Sequence, residues 1–390
     1  MTSSRAAAAS YRGALGLAWL SDSGCHSVLR LLARQGPEDL WNASTRSLVR
    51  LGMTPGAAAR FGEKRRRFVF EQAAAVLERK EIRFVPYGSH LYPQELSHLS
   101  LPPAGLFVRA HEDALERFLC VPRVTIVGTR KATFYGSRAA EAFASAFAAE
   151  GVAVVSGMAL GIDACAHEAT LRAGDLTVAV LGCGVDVVYP RRHASLYRKI
   201  GTTGVVASEL PPGTPPSRWT FPHRNRLLAA LGDAVLVVEA SRTSGALQTA
   251  DWALELGRPV FSVPGPVLAA GHEGCNMLLY NGACPAVEPS TTVEDFIFVT
   301  RMERGERRRV RRLKEVEARA GGRGTRSESS ELLDGRKRSI LDALQSEACS
   351  VDDLMERTGL PVRELTAALA ELELMGRTAR AGPGLHIRAP

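Results

Sequence analysis

Arginine, glycine and hydroxyl side chains gather where this 390-residue chain repeatedly turns a short apolar run into a loop. Five such junctions stand out: VTIVGTR at 124–130, VAVVSGMALGID at 152–163, TVAVLGCG at 177–184, AVLVVEASRTSG at 234–245 and PVFSVPGP at 259–266. In an open parallel sheet all such turns lie on one crest beyond the carboxyl ends of the strands. Glycine lets backbone N–H groups approach an anion, and the following helix points its positive end at it. The first junction offers Gly128, Thr129 and Arg130, and the second Ser156, Gly157 and Gly161. The fourth offers Ser244, Gly245 and Thr249; the fifth offers Gly265, with Asn276 just beyond it. Between the third and fourth, Arg224, Asn225 and Arg226 put two guanidiniums and an amide in three consecutive positions. Arginine forks suit phosphate oxygens, and arginine near a helix start opposes the dipole unless an anion is present. Together these residues predict a crest for a phosphate-bearing ligand. Taken singly, each also fits a tight turn, a helix cap or a solvated charge.

Two common phosphate-binding motifs are left incomplete. Gly182-Cys183-Gly184 opens a dinucleotide fingerprint, but Val187 stands at its third glycine, and no GxxxxGK[ST] occurs. Seven scattered cysteines form no CxxC pair, which gives no zinc motif and suits reduced thiols in a cytoplasm. Cys183 and Cys275 have no base that the sequence places beside them. His167, four residues after Asp163 on a helical pattern, reads as structural rather than catalytic. Glu239, at a strand end, is the carboxylate to watch as an acid or base. No catalytic residue, metal site or cofactor is assigned.

The elements that must position the crest follow from periodicity. Between 124 and 298, Val-rich runs alternate with helical segments, as in an α/β doubly wound fold with a mostly parallel sheet. Residues 1–82 read as a small helical module of the sterile-alpha-motif or helix-hairpin-helix kind. Strands IRFVPYG and AGLFVRA then begin a core spanning 83–300. Residues 301–338 read as a basic linker, with 14 Lys and Arg against 7 Asp and Glu, so most of the net charge of +8 sits there. Residues 339–390 predict three helices and a hairpin, a winged-helix-like domain. Its third helix carries Glu364, Glu371 and Glu373 against Arg363, which suits a regulatory or protein contact better than a phosphate backbone. No apolar run reaches the ~20 residues that span a bilayer.

Taken in order, GTR, SGMALGIDACAH, TVAVLGCGVDVVYP, ASELPPG, FPHRNRLLAALGDAVLVVEASRTSGALQTADWALELGR, VFSVPGP and EGCN resemble the DprA/Smf family of DNA-processing proteins. The resemblance covers about 124–283, and its order and spacing are more specific than any single element. It implies an extended Rossmann-like fold and a non-enzymatic protein of the cytoplasm that binds single-stranded DNA. It further implies protection of incoming DNA in natural transformation, loading of the RecA recombinase, and a homodimer. DNA contact carries over to Arg130 and to Arg224-Asn225-Arg226, with Gly157 and Gly161 alongside. Phe134 and Phe221, close to these turns, can stack on bases or pack in the core. Thr129 stands where the family often has Ser, Gln248 where it is commonly apolar, and Asp175 where it often has a basic residue. The alternative reading is a Rossmann-like nucleotide-binding enzyme similar to phosphoribohydrolases, resting on Glu239 or Glu255.

Overall fold

A computed structural model describes residues 2–21, 26–111, 113–300, 335–344, 349–360, 365, 368–369, 372, 378–382 and 385–388. Met1–Arg308 form one compact unit and Arg309–Pro390 a second.

The first unit is built on a nine-stranded sheet. Its strands are β1 (Arg83–Pro86), β2 (Gly105–Ala110), β3 (Arg123–Val127), β4 (Ala153–Ser156), β5 (Thr177–Val180), β6 (Val205–Ser208), β7 (Ala234–Val237), β8 (Val260–Ser262) and β9 (Cys284–Pro285). Their spatial order is β1-β2-β6-β5-β4-β3-β7-β8-β9. The β1–β2 and β2–β6 pairs are antiparallel and the rest parallel. Strands β3 to β7 are buried at every position, as a sheet covered on both faces requires. The order reverses at β3: β4 continues to one side, whereas β7 returns on the other, with Val127 opposite Val237. That reversal opens a crevice beyond the carboxyl ends of β3 and β7.

Strand β6, the four residues VVAS, was not among the expected strands. It is short, and it runs into Glu209-Leu210-Pro211 rather than into a glycine turn. Parallel pairing with β5 and antiparallel pairing with β2 fix it in place.

Before the sheet come α1 (Thr2–Leu20), α2 (Leu32–Gln35), α3 (Pro37–Asn42), α4 (Thr45–Arg50), α5 (Pro55–Arg67) and α6 (Phe70–Arg79). Leu15, Leu17, Leu32 and Phe61 from these helices share one core with Phe84, Phe107 and Val206 of the sheet. Each such buried side chain contributes about 1.5–3 kcal/mol, so the helices of residues 1–82 are bound into the sheet unit. Next come α7 (Ala114–Cys120), α8 (Phe134–Ala149), α9 (Ile162–Arg172), α10 (Ala194–Thr203), α11 (Thr220–Leu231), α12 (Gly245–Glu255) and α13 (Glu273–Tyr280); residues 289–300 are also helical.

In the second unit, helices Gly335–Ala343 and Val351–Thr358 accompany a three-stranded antiparallel sheet. Ile340, Leu344, Leu354, Leu365, Leu369 and Leu372 form its core. This is a winged-helix arrangement. The expected linker loses its last four residues to the helix that begins at Gly335; the rest of it lies outside the described residues, as do Arg363, Glu364, Glu371 and Glu373.

Candidate nucleic-acid interface

The crevice at the sheet reversal is an open cleft of about 400 Å³. Of the expected residues it is lined by Gly128, Thr129, Arg130, Arg224, Asn225, Ser244, Gly245 and Thr249. A smaller hollow of about 40 Å³ adjoins it, shared by Arg130, Gly157, Tyr189 and Phe221.

The turn after β3 is pinned from below. Thr129 N–H donates to Glu239 O at 2.7 Å, and Thr129 O accepts from Ile162 N at 3.2 Å. Glu239, 1 % exposed, accepts from Thr133 N and Thr133 Oγ1, both at 3.0 Å, and Thr133 Oγ1 in turn caps α8 by accepting from Gly136 N. The carboxylate expected as an acid or base is therefore committed to holding the turn: it is buried, and a Cβ on Gly136 would run into it. What this anchoring leaves exposed is Arg130, whose guanidinium carbon sits 4.8 Å from the centroid of the Phe221 ring.

The glycine turn after β4 is also occupied from within. Asp163, in the first turn of α9, accepts from Gly157 N at 3.1 Å and Ala159 N at 3.2 Å. Burial raises its pKa, against the pull of Arg224 and these two donors. Two N–H groups of the turn are thus already taken by an internal carboxylate. A Cβ on Gly157 would collide with the Arg224 guanidinium, and one on Gly161 with Thr129 O. Gly161 also has φ 76°, which favours glycine. Both glycines allow neighbouring crest turns to pack closely together. Ser156 is fully buried and donates to Ile126 O at 2.6 Å.

The Arg224-Asn225-Arg226 triplet lies in the second turn of α11, not in a loop before it. Successive helical residues point about 100° apart, so the three side chains diverge. Arg224, 4 % exposed, donates to Gly157 O at 2.8 Å and to Val180 O, tying the β4 and β5 turns to α11. Burial lowers its pKa to about 10. Asn225 Nδ2 donates to Gly245 O at 3.2 Å across the cleft. Arg226, 2 % exposed, forms a buried ion pair with Glu209 and does not line the cleft. Ser244 caps α12 through Ala246 N at 3.3 Å. Gly265 and Asn276 bond each other, N–H to Oδ1 at 3.2 Å and Nδ2–H to carbonyl at 3.1 Å, and brace the β8 turn outside the cleft.

His167 lies beneath the crest. Thr177 Oγ1 donates its proton to Val154 O at 2.9 Å, so His167 Nδ1, 2.6 Å from that hydroxyl, must carry the proton it donates there. Among the described residues Nε2 is buried without a partner, and burial lowers the pKa to about 3. Burial likewise pushes the Cys183 and Cys275 thiols up to about 11, where neither is a nucleophile at neutral pH. Among the described residues no group of His, Cys, Asp and Glu could hold a metal ion. Asp175 precedes β5, at the opposite edge of the sheet from the crest, and pairs with Arg117.

Sequence reasoning passed over Tyr189, Arg218 and Trp219. Tyr189 is 41 % exposed, with its ring centroid 5.5 Å from that of Phe221. Trp219 is 71 % exposed, with the Arg218 guanidinium 4.6 Å from its ring. Phe134, 84 % exposed, stands at the start of α8. The signal was available in VYPRRH and SRWTFP, where aromatic residues stand next to arginines.

Comparison with known proteins converges on one family. Residues 83–297 match DNA recombination-mediator protein A, and residues 325–384 match the DprA winged helix domain. The chain is 32% identical to protein Smf of Synechocystis sp. over 386 residues, covering 95% of this chain and 97% of that one. The X-ray structure of DNA processing protein A from Streptococcus pneumoniae superposes with a TM-score of 0.62 and 30% identity, over 73% of this chain and 96% of that one. DNA processing protein A of Helicobacter pylori, described for its single-stranded DNA binding mode, superposes with a TM-score of 0.51 and 26% identity, over 56% and 97% respectively.

Proposed function

Since the chain belongs to the DNA recombination-mediator protein A (DprA/Smf) family, we propose that it binds single-stranded DNA along the crest during DNA processing in natural transformation. The observation that carries this reading is the pairing of exposed arginines with accessible rings: Arg130 over Phe221 with Tyr189 behind it, and Arg218 over Trp219. Single-strand binding needs a cationic track and flat surfaces on which bases stack, and it needs no base-specific code. An anion-binding pocket for one nucleotide would need free backbone donors, whereas two of those in the β4 turn are consumed by Asp163. The protein acts as a binder and not as an enzyme, a reading supported by the commitment of Glu239 to Thr133. Delivery of the bound strand to the RecA recombinase and action as a homodimer complete the proposal. Leu254, Met277 and Tyr280, exposed on α12 and α13, favour self-association.

The test is fluorescence anisotropy with labelled oligo-dT across a salt series. The parent is expected to lose affinity steeply with salt. Arg130→Ala should weaken binding by about 1–3 kcal/mol, the cost of a lost charged hydrogen bond with its partner stranded. If Arg130→Ala and Phe221→Ala both bind as tightly as the parent at moderate salt, the strand does not run over the crest.

A further inference from the structure

Helices α4 and α5 form a second basic surface. Residues 45–67 hold seven basic side chains against one acid, Glu63. Two of the seven serve the fold: Arg65 donates to Trp41 O and, at 2.8 Å, to Ala43 O, while Arg67 pairs with Glu63 at 2.7 Å. Arg46, Arg50, Arg60 and Arg66 are exposed, and among the described residues none of them has an acidic partner. Burial and the charge on Arg66 both lower the pKa of Arg65, a mark of how crowded the cations are.

The geometry gathers these charges. Gly62 is buried where the two helices meet. Thr45 Oγ1 lies 3.3 Å, and Arg66 Nη1 4.0 Å, from the point a Cβ on Gly62 would occupy. With no side chain there, the first turn of α4, including Arg46, sits beside the last turns of α5. Arg60 Nη1 lies over the first turn of α5, 3.5 Å from the Cβ position of Gly56. Thr54 caps that turn through Ala57 N at 3.3 Å, and Pro55 is its first residue. The arginines therefore project from short, well-terminated helices.

What this surface lacks decides its ligand. Among the described residues 45–67, no large hydrophobic side chain is exposed. The nearby rings of Trp41, Phe61, Phe68 and Phe70 pack edge-on against one another. Unstacked bases would find no ring here, and only backbone contacts are available. Duplex DNA hides its bases and presents one phosphate charge per ~1.7 Å of axis. We propose that the α4–α5 surface binds the backbone of duplex DNA, as a second DNA site separate from the crest.

The test uses the full chain, a labelled blunt duplex and labelled oligo-dT, each titrated over a salt series. The triple variant Arg46→Gln, Arg60→Gln, Arg66→Gln alters exposed positions only, so its thermal melt should match the parent. It should bind the duplex at least about tenfold more weakly and reduce the log–log salt slope by about 3, near one for each phosphate that is no longer neutralised. Oligo-dT binding should stay within about twofold. The triple Lys variant should keep duplex affinity, because point charges suffice for holding a phosphate backbone. The proposal is overturned if the parent does not bind the duplex, if the Gln variant binds it as the parent does, or if duplex and oligo-dT binding fall together. Failure of Arg130→Ala to affect oligo-dT would count against the crest alone and leave this result standing.

Discussion

The crest and the α4–α5 surface are both rich in arginine, yet their arginines stand in different company. On the crest, Arg130 and Arg218 lie 4.8 and 4.6 Å from the rings of Phe221 and Trp219, and Trp219 is largely exposed. On α4–α5 the rings are turned inward against each other, Arg65 covers the buried Phe61 ring, and among the described residues the exposed guanidiniums of Arg46, Arg50, Arg60 and Arg66 have no ring beside them. Positive charge attracts any polyanion; accessible rings decide whether its bases can take part. A second difference lies underneath. Two arginines beneath the crest, Arg224 and Arg226, are buried as struts, whereas on α4–α5 Arg65 plays that part and does so half-exposed. The crest thus depends on buried cations for its shape, and the helical surface does not.

The harshest test of that contrast is Arg226→Ala. It strands Glu209 in the interior and should cost about 3–5 kcal/mol, as breaking a buried pair does. Arg66→Ala, exposed on α5, should stay within about 0.5 kcal/mol. Urea unfolding reads both. If Arg226→Ala is as stable as the parent but no longer binds oligo-dT, Arg226 is a DNA contact after all and the contrast collapses. Removal of a crest ring comes next. Trp219→Ala or Tyr189→Ala should each weaken oligo-dT binding by about 1–3 kcal/mol, the value of one stacked base, and leave duplex binding unchanged. Equal weakening on both ligands would mean that exposed rings do not separate the two surfaces.

The sheet core was legible because five Val-rich runs ending in glycine turns can hardly form anything but buried parallel strands. Strand β6 escaped: VVAS is short and gains its identity from β5 and β2, which are distant in sequence. At the site, the turns were legible and the side-chain directions were not. Arg224 and Arg226 looked equivalent as letters. Helical geometry sends one against Gly157 and Val180 and the other against Glu209, and no local pattern encodes Glu209. Gly157 and Gly161 suggested anion cradles, but their missing side chains admit Arg224 and the Thr129 carbonyl instead. Phe134 was named as a ring that could stack, whereas Tyr189 and Trp219 were missed, because an aromatic letter does not say whether its ring is inside or out.

The crest also holds a buried titrating group, and this predicts an acid response. His167 titrates near 6.5 when unfolded and near 3 when folded. Between those values the unfolded chain binds the proton and the folded one does not, so stability falls as pH falls through this window. The slope approaches about 1.4 kcal/mol per pH unit for one such group. Urea midpoints measured from pH 7.5 to 5 should decline in the parent and flatten in His167→Gln. An unchanged slope in the variant would mean that His167 is already protonated in the folded state, contrary to its donation from Nδ1 alone.

The smallest expected effect concerns the join between the two regions. Lys80, which caps the C-terminus of α6, pairs with Asp186 in the loop between β5 and Tyr189. Burial alone would raise the pKa of Asp186, but the bonds from Lys80 and Gly213 N outweigh it and hold the carboxylate below its usual range. The pair therefore stabilises the fold above the ordinary carboxylate pKa, and that stability disappears as pH falls through the lowered one. Lys80 is partly exposed, so Lys80→Met should cost no more than about 1 kcal/mol. The informative readout is binding. If this tie holds the Tyr189 loop for stacking, Lys80→Met and Asp186→Asn should each weaken oligo-dT binding slightly, and by the same amount, while duplex binding is unaffected. If duplex affinity moves with it, the two surfaces are coupled through α6, and a strand on the crest would alter duplex binding on α4–α5.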